Sequence, residues 1–72
     1  MNIEQQNVLC HRLKEQRLLN GWTLEQLAEK VGVSHVAISR WENNIRTPNM
    51  YNIIALAKAF GVSSDYLLGL ED

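Results

Sequence analysis

Apolar residues recur at helical spacing along almost the whole chain, and residues that end helices divide this pattern into short segments. Gly21, Gly32 and Gly61 each follow such a segment, where glycine suits the left-handed turn that ends a helix. No segment shows the alternating apolar and polar residues of a half-buried strand. The sequence therefore predicts an all-α domain of five short helices.

The first two predicted helices are bounded by caps and stops. The first runs from about Gln6 to Asn20, with Leu9 and Leu13 facing inward. The second is TLEQLAEKVG, in which Thr23 and Gln26 have the spacing of a capping box. Each side chain can accept a hydrogen bond from the backbone amide of the other residue.

The last three helices also have recognisable caps: Ser34 for the third, Thr47 or Asn49 for the fourth, and Ser63 for the fifth. The third helix runs to Asn43, where Asn44 can replace glycine in a left-handed turn. Pro48 suits the first turn of the fourth helix. One broad apolar stripe marks that helix: Met50, Ile53, Ile54, Ala57 and Phe60.

The length of 72 residues predicts one small domain, residues 1–72, in which residues 1–6 are flexible or begin the first helix and residues 70–72 form a tail. A single core of this size leaves only about 3–5 kcal/mol of net stability, which favours support from a second subunit. No stretch approaches the roughly 18 apolar residues of a membrane span, and the amino terminus lacks an export signal. We therefore expect a cytoplasmic chain.

Cys10 and His11 are the first candidates for nucleophilic or metal chemistry. One cysteine cannot form an internal disulfide, and the pair lacks the spaced ligands of a zinc site. His11 lies about 100° further round a helix than Cys10, so it is poorly placed as a base for the thiol. A small helix-packing cysteine is the simpler interpretation. Without paired carboxylates, a phosphate loop or a triad, the sequence predicts no enzyme, no metal and no cofactor.

The third predicted helix has two different faces on a helical wheel of about 100° per residue. One arc is suited to packing: Ser34, Ala37, Ile38, Trp41 and Ile45. The other arc is mostly polar: His35, Val36, Ser39, Arg40 and Asn43. Glu and Lys, which cover most solvent-facing helix surfaces, are absent from the second arc. Such a face indicates contact with a polar, anionic partner.

The charge distribution agrees with that interpretation better than the total charge does. A formal net charge of −1 argues weakly against a nucleic-acid partner. From Lys30 to Arg46, however, three cations (Lys30, Arg40 and Arg46) stand against one acid, Glu42, while the rest of the chain has four cations and seven acids. The excess of positive charge therefore lies around the third helix.

The connection before the third helix is short. Only Gly32 and Val33 separate the end of the second helix, at Val31, from the cap Ser34. A helix, a short turn with a glycine and a second helix form the helix-turn-helix arrangement, which presents its second helix to the major groove of DNA. A generic helical hairpin has the same spacing, so the spacing alone leaves both structures open.

Several motifs then occur in the order typical of a known family: LAEKVGVS, ISRWE, the proline that opens the fourth helix, LAKAFGVS and DYLLG. Over about residues 8–69 the chain resembles the helix-turn-helix domain of the phage-repressor and Cro family, also called lambda-repressor-like or XRE. The resemblance implies a five-helix fold with the helix-turn-helix at helices 2 and 3. It also implies a transcriptional regulator of bacteria or their phages, foremost a repressor, that binds double-stranded DNA as a homodimer on near-palindromic operators.

Carried over position by position, the resemblance makes His35, Val36, Ser39 and Arg40 the base-reading residues. Arg40 can donate two hydrogen bonds to guanine, and Val36 offers a methyl surface that suits thymine methyl groups. A solvated surface charge is the alternative for Arg40, and partial burial is the alternative for Val36. His35 could cap the helix, meet a base or meet a phosphate.

The same resemblance assigns phosphate contacts to Thr23, Ser34, Asn43 and Arg46. Helix amino ends suit this role because their free amides and dipole point toward the anion. Many family members have a glutamine just after the cap of the second helix, where this chain has Leu24. We therefore expect modest DNA affinity per monomer.

Arg17 and Glu42 match a pair that links the first and third helices in the family. Arg17 also falls inside the apolar arc of the first helix, so it needs a partner if buried. Such a pair would orient the reading helix more than it would add stability.

Trp22, Trp41 and Phe60 are predicted core residues rather than base-stacking ones, because they lie on apolar faces away from the basic residues. Dimer contacts are expected near the carboxyl end: Tyr66, Leu67 and Leu70, with Tyr51 and Ile45 at the rim. The alternative function is a protein-interaction module of the same fold, such as an antitoxin or part of a larger regulator. Nothing in the sequence matches a small-molecule sensor.

Overall fold

The computed structural model describes residues 1–72 as five helices without a strand. They are α1 (Ile3–Leu19), α2 (Leu24–Val31), α3 (His35–Glu42), α4 (Met50–Phe60) and α5 (Ser64–Leu67). The predicted all-α, five-helix class is therefore confirmed, with α2 and α3 forming the helix-turn-helix. None of the helices is both long enough and apolar enough to cross a membrane.

The predicted caps and stops define most helix boundaries. The hydroxyl of Thr23 accepts a bond from the backbone amide of Gln26 (3.1 Å), and the side-chain oxygen of Gln26 accepts one from the amide of Thr23 (2.8 Å). Gly32 ends α2 in the left-handed conformation, at φ 82°. Asn44 takes the predicted left-handed turn after α3, at φ 58°.

The first helix begins at Ile3, three residues before the predicted start. Its cap is Asn2, whose side-chain oxygen accepts from the amide of Gln5 at 2.8 Å, while the Gln5 side chain accepts from the amide of Asn2 at 3.1 Å. This is a second capping box, with asparagine in place of threonine.

The placement of Pro48 in the first turn of α4 is wrong. Asn49 is the cap of this helix, because its side-chain oxygen accepts from the amide of Asn52 at 2.9 Å. Pro48 therefore lies before the cap, where it is buried.

All five helices contribute to one core: Leu9, Leu13, Leu27, Ala28, Ile38, Trp41, Ile53, Leu56, Ala57 and Leu67. The rings of Trp22 and Phe60 are half-buried beside it and stack with centroids 5.9 Å apart. Burying a leucine side chain stabilises a fold by about 1.5–3 kcal/mol. A few such residues therefore account for much of what holds so small a domain together.

The helical wheel misplaced two residues of the third helix. Ile45, expected on the packing arc, is 68% exposed because the helix ends at Glu42 and the chain reverses at Asn44, so the helical phase no longer applies. Ser34 is also exposed, since its side chain is turned toward the amide of Ala37 as a cap. On α4, Met50 and Ile54 of the predicted apolar stripe are likewise exposed.

The structure contradicts the expectation that Leu67 contacts a second subunit. Its side chain is 0% exposed and fills the core between α5 and the other helices. Tyr66 is half-buried and Leu70 is exposed, so these two remain accessible.

The carboxyl-terminal residues are held against α1 by Arg12. Its guanidinium donates to the backbone carbonyl oxygens of Tyr66 and of Glu71 (2.6 Å for Glu71) and lies 4.3 Å from the centroid of the Tyr66 ring. The carboxylate of Glu71 also accepts a bond from the hydroxyl of Ser63. Glu71, within the predicted tail, is thus bonded to both α1 and the start of α5.

Cys10 is a buried residue of α1, and its thiol donates to the carbonyl oxygen of Asn7 at 3.2 Å. His11 is exposed on the same helix. This arrangement is that of a helix-packing cysteine.

Candidate nucleic-acid interface

The turn between α2 and α3 fixes the direction of α3. The backbone amides of Gly32 and Val33 both bond the carbonyl oxygen of Ala28, at 2.8 and 3.0 Å. The hydroxyl of Ser34 then accepts from the amide of Ala37 at 3.1 Å and starts the next helix. Because α2 ends and α3 begins with these specific bonds, the angle between the two helices is set locally.

The outer face of α3 contains the four residues expected to read bases. His35, Val36 and Arg40 are exposed and Ser39 is half-buried, while Ile38 and Trp41 on the other side are buried. Val36 keeps 43% of its surface exposed although it is apolar, which leaves its methyl groups available to a partner. The structure therefore brings these four side chains together on one outward face; their contact with bases stays a prediction.

A side-chain bond within this face involves Asn43, one of the expected phosphate contacts. Its amide nitrogen donates to the carbonyl oxygen of Ser39 at 2.8 Å and lies 3.4 Å from the Ser39 hydroxyl oxygen. The amide of Asn43 is thus turned toward α3 and engaged there.

The other expected phosphate contacts lie at helix starts and in the loop after α3. Thr23 and Ser34 are exposed caps whose hydroxyl oxygens accept backbone amides, so each keeps its hydroxyl proton for an outside acceptor. Arg46 is exposed, and its backbone amide bonds the carbonyl oxygen of Arg40 at 3.3 Å. Helix amino ends with free donors are suited to bind an anion.

The loop that contains Arg46 is also tied to α1. The side-chain amide of Asn44 donates to the side-chain oxygen of Asn7 at 3.1 Å. Sequence reasoning missed Asn7, because two exposed asparagines far apart in the chain leave no periodic signal.

Arg17 and Glu42 form a bidentate ion pair between α1 and the end of α3. The Nε and Nη2 atoms of Arg17 lie 2.7 and 3.1 Å from the two carboxylate oxygens of Glu42, and Nη1 donates to the carbonyl oxygen of Trp22 at 2.9 Å. The two side chains are 12% and 5% exposed. The bond to Glu42 raises the pKa of Arg17 against a smaller, opposing effect of burial. Arg17 is therefore charged at any pH near neutrality, and the pair links the end of α3 to α1.

This pairing changes the electrostatics of the interface. Glu42, the one acid between Lys30 and Arg46, is neutralised by Arg17 from outside that segment. Lys30, Arg40 and Arg46 are all exposed. The charges that this segment presents to a partner are thus uniformly positive although the whole chain is slightly acidic.

Leu24 occupies the position where many family members have a glutamine. It is half-buried and packs against the core. Leu24 therefore contributes to the core, and α2 has no polar side chain at the position immediately after its cap, Thr23.

Comparison with known proteins decides the family. A helix-turn-helix family model matches residues 13–67. The chain belongs to this helix-turn-helix family. Its sequence is 38% identical over 63 residues to the uncharacterized transcriptional regulator YobD of Bacillus subtilis, and 36% identical over 64 residues to the regulator ImmR of the same organism. These alignments cover 88% and 89% of the chain but 56% and 50% of the relatives, so the chain spans about half their length.

The fold of the helix-turn-helix chain is likewise similar to that of a solved phage repressor. The P22 c2 repressor in complex with a synthetic operator has a TM-score of 0.83 and 40% identity, covering 88% of this chain and 96% of that one. The resemblance to the phage-repressor family and the lambda-repressor-like fold are both confirmed.

Proposed function

We propose that this helix-turn-helix chain is a sequence-specific, double-stranded DNA-binding transcriptional regulator, and specifically a repressor, that reads the major groove with α3. The observation that carries the proposal is the outward face of α3. This face combines an exposed methyl surface, a hydroxyl group, an imidazole group and one arginine. The carboxylate of Glu42, at the end of the same helix, is paired with Arg17. The likeness to a repressor bound to its operator supports the same function.

Each base-reading side chain has a distinct chemical role in this proposal. Arg40 donates two parallel hydrogen bonds to O6 and N7 of a guanine, and Val36 contacts thymine methyl groups. Ser39 lies one turn after His35 and Val36 on the same face and bonds a base edge. His35, at the first position of α3, contacts a base or the adjacent phosphate.

Phosphate contacts hold the chain in register on the duplex. Thr23 and Ser34 donate their free hydroxyl protons at the starts of α2 and α3, and Arg46 supplies charge from the following loop. Asn43 gives one amide hydrogen to the carbonyl oxygen of Ser39 and can donate the second, whose only partner in the chain is the Ser39 hydroxyl oxygen at 3.4 Å, to a phosphate.

The chain acts as a homodimer on a near-palindromic operator. Exposed apolar side chains support this part of the proposal: Leu70 near the carboxyl end, with Ile45 and Tyr51 as rim contacts. Tyr66, half-buried beneath Arg12, completes the contact region. A two-fold dimer places its two α3 helices about 34 Å apart, one turn of the duplex.

The partner also determines the location. A repressor of bacterial or phage operators works where the DNA is, so we propose the cytoplasm of a bacterial cell, with the gene on the chromosome or on a phage. Neither a small-molecule ligand nor an enzymatic step is needed for this function.

The test is selection of bound duplexes from a random pool, followed by affinity measurements on the recovered sequence at several salt concentrations. A near-palindrome with half-sites about 10 base pairs apart is expected, and the affinity should fall steeply with salt because bound phosphates release counterions. Binding without sequence preference or salt dependence would contradict the proposal. That result would favour the protein-interaction module instead.

A further inference from the structure

The segment that follows α5 is held on both sides of one exposed leucine. Leu70 is 60% exposed, so its own side chain does little to keep it in place. Before it, Gly69 is left-handed at φ 76°, and the amide of Leu70 bonds the carbonyl oxygen of Asp65 at 2.8 Å. Glycine-ended turns of this kind commonly close a helix. After Leu70, the carbonyl oxygen of Glu71 accepts a bond from Arg12 at 2.6 Å.

Arg12 connects both ends of this segment, residues 66–71, to α1. Its Nη1 atom donates to the backbone carbonyl oxygens of Tyr66 and Glu71, and its guanidinium carbon lies 4.3 Å from the centroid of the Tyr66 ring. The one ion pair of the structure joins Arg17 and Glu42, so Arg12 has no carboxylate partner. The charge of Arg12 therefore acts on backbone oxygens and on a ring, and hydrogen bonds from a charged donor are stronger than neutral ones.

These bonds order the segment within a single chain. Residues at the carboxyl end of a domain are often poorly ordered unless contacts hold them. Fixing the backbone of one residue costs a free energy equivalent to about a tenfold change in an equilibrium constant. A leucine on a mobile segment would have to be ordered when a second subunit binds, and this cost would lower the affinity of the dimer. With Arg12 in place, the segment is already ordered in the monomer.

We infer that Arg12 is a positioning residue for the dimer, which holds residues 66–71 so that Leu70 faces the second subunit in a fixed orientation. The inference rests on the proposed function, in which Leu70 is a dimer contact. Arg12 acts through Leu70 and needs no contact with the other subunit. A direct contact by Arg12 would instead contribute to the dimer whether or not Leu70 were present.

The experiment measures the dimer dissociation constant by sedimentation equilibrium, without DNA, for the wild type, Arg12→Met, Leu70→Ser and the double variant. Methionine keeps an apolar side chain of similar length at position 12 but has no donor. Arg12→Met should raise the dissociation constant about tenfold, the effect of ordering one more residue on assembly. Lys14→Met, the matched control, removes an exposed cation from the same helix and should leave the dissociation constant unchanged.

The double variant shows whether Arg12 acts through Leu70. In the Leu70→Ser background, Arg12→Met should raise the dissociation constant by no more than about twofold. Arg12→Lys is a milder second variant: it keeps the charge and can bond one of the two carbonyl oxygens, so its effect should be about threefold. Thermal unfolding followed by circular dichroism checks that each variant is folded.

Hydrogen exchange tests the ordering directly in the monomer. At protein concentrations well below the dimer dissociation constant, the amide of Leu70 should exchange about tenfold faster in Arg12→Met than in the wild type, because the segment opens more often. The amide of Gly61, in the turn that ends α4, should exchange at the same rate in both proteins and serves as the internal control.

An equal effect of Arg12→Met in the wild-type and Leu70→Ser backgrounds would overturn the inference, because Arg12 would then act independently of Leu70. An unchanged dissociation constant, or an unchanged exchange rate at Leu70, would overturn it as well. If Leu70→Ser itself left the dimer unaffected, the dimer contact of the proposed function would be wrong and the inference would fail with it. That result involves no change at Arg12, so the two failures can be told apart.

Discussion

At the residue scale, three hydroxyl groups of the interface share one property. Those of Thr23 and Ser34 accept a backbone amide, and that of Ser39 accepts a side-chain amide. Each keeps its own proton for an external acceptor. Phosphate oxygens and the major-groove edge of guanine are acceptors, so each of these protons is available for a bond to DNA in the proposed function.

Arg40 and Arg46 provide a matched pair of substitutions, since both are exposed arginines within one short segment. Arg40→Ala should lose about 1–3 kcal/mol of discrimination at one base pair, because it removes a bidentate contact to guanine. Arg46→Ala should weaken all duplexes about equally and reduce the salt dependence by about one counterion. Fluorescence anisotropy on the operator and its single-base variants measures both effects. The roles assigned to the two arginines would be wrong if the variants lost affinity in the same way on every duplex.

Val36 is tested best by changing the DNA. Replacing a contacted thymine by uracil removes only the methyl group and should cost the wild type about 0.8 kcal/mol, or about fourfold in affinity. Val36→Ala should show a much smaller difference between thymine and uracil. Uracil outside the half-sites is the control, and equal sensitivity of the two proteins would exclude Val36 as the reader of that methyl group.

At the scale of the helices, the ion pair of Arg17 and Glu42 is expected to affect both the stability of the domain and the orientation of α3 relative to α1. Arg17→Met leaves the carboxylate of Glu42 buried without a partner, which should cost about 3–5 kcal/mol, comparable to the whole stability of so small a domain. The double variant Arg17→Met/Glu42→Leu removes both charges and should recover most of that loss. Urea unfolding measures the difference.

The same double variant tests the orienting role. If the pair fixes α3 to α1, the refolded double variant should bind its operator with reduced preference for the correct bases. Wild-type base preference in the double variant would mean that packing alone orients α3. If Arg17→Met had the same free energy of unfolding as Arg17→Met/Glu42→Leu, Glu42 would not be buried in solution.

Local chemistry made most of the helices predictable. The cap of α2 at Thr23, the stop at Gly32 and the turn at Asn44 depend on residues a few positions apart, which the sequence displays directly. The outward face of α3 was predictable for the same reason. Ile45 and Leu67 were misplaced because their burial depends on where a helix ends and which helices surround it.

Most contacts between distant segments could not be predicted from the sequence. Arg12 donates to carbonyl oxygens of residues more than 50 positions away, and the bond between Asn7 and Asn44 spans 37 positions. Neither produces a periodic pattern. Arg17 and Glu42 were found only because the family resemblance and the apolar arc of α1 pointed to the same residue.

Substitutions at Gly61 and Gly69 can distinguish two ways in which an added side chain destabilises the fold: an unfavourable left-handed backbone conformation and a steric clash. Gly61 and Gly69 have similar φ values, 71° and 76°, but a Cβ at Gly61 meets nothing within 4 Å whereas one at Gly69 lies 3.0 Å from Cγ1 of Val8. Gly61→Ala should therefore lose only the roughly 1–2 kcal/mol of a left-handed non-glycine residue. Gly69→Ala should lose more, because it also pushes the carboxyl-terminal turn away from α1. Urea unfolding measures both losses of unfolding free energy, and equal losses in the two variants would mean that Val8 moves aside freely.

At the scale of the whole molecule, the dimer is the principal prediction. Leu70 is 60% exposed in the expected contact region, and Leu19 is 72% exposed at the end of α1, outside that region. Leu70→Ser should raise the dimer dissociation constant by about tenfold or more, the effect of losing one buried leucine. Leu19→Ser, the control, should leave it unchanged. Sedimentation equilibrium measures both, and an equal effect of the two variants would move the dimer interface elsewhere.

The positions of the two tryptophans have a practical consequence for spectroscopy. Trp41 is buried on the inner side of α3, whereas Trp22 is half-exposed and stacked on Phe60, with its ring centroid 4.7 Å from the ammonium nitrogen of Lys30. Iodide should quench the emission of Trp22 far more than that of Trp41. A Trp22→Phe protein would then contain one tryptophan, directly behind the α3 surface that we propose meets the duplex, and the emission wavelength of Trp41 would report on the packing of α3 without any attached dye.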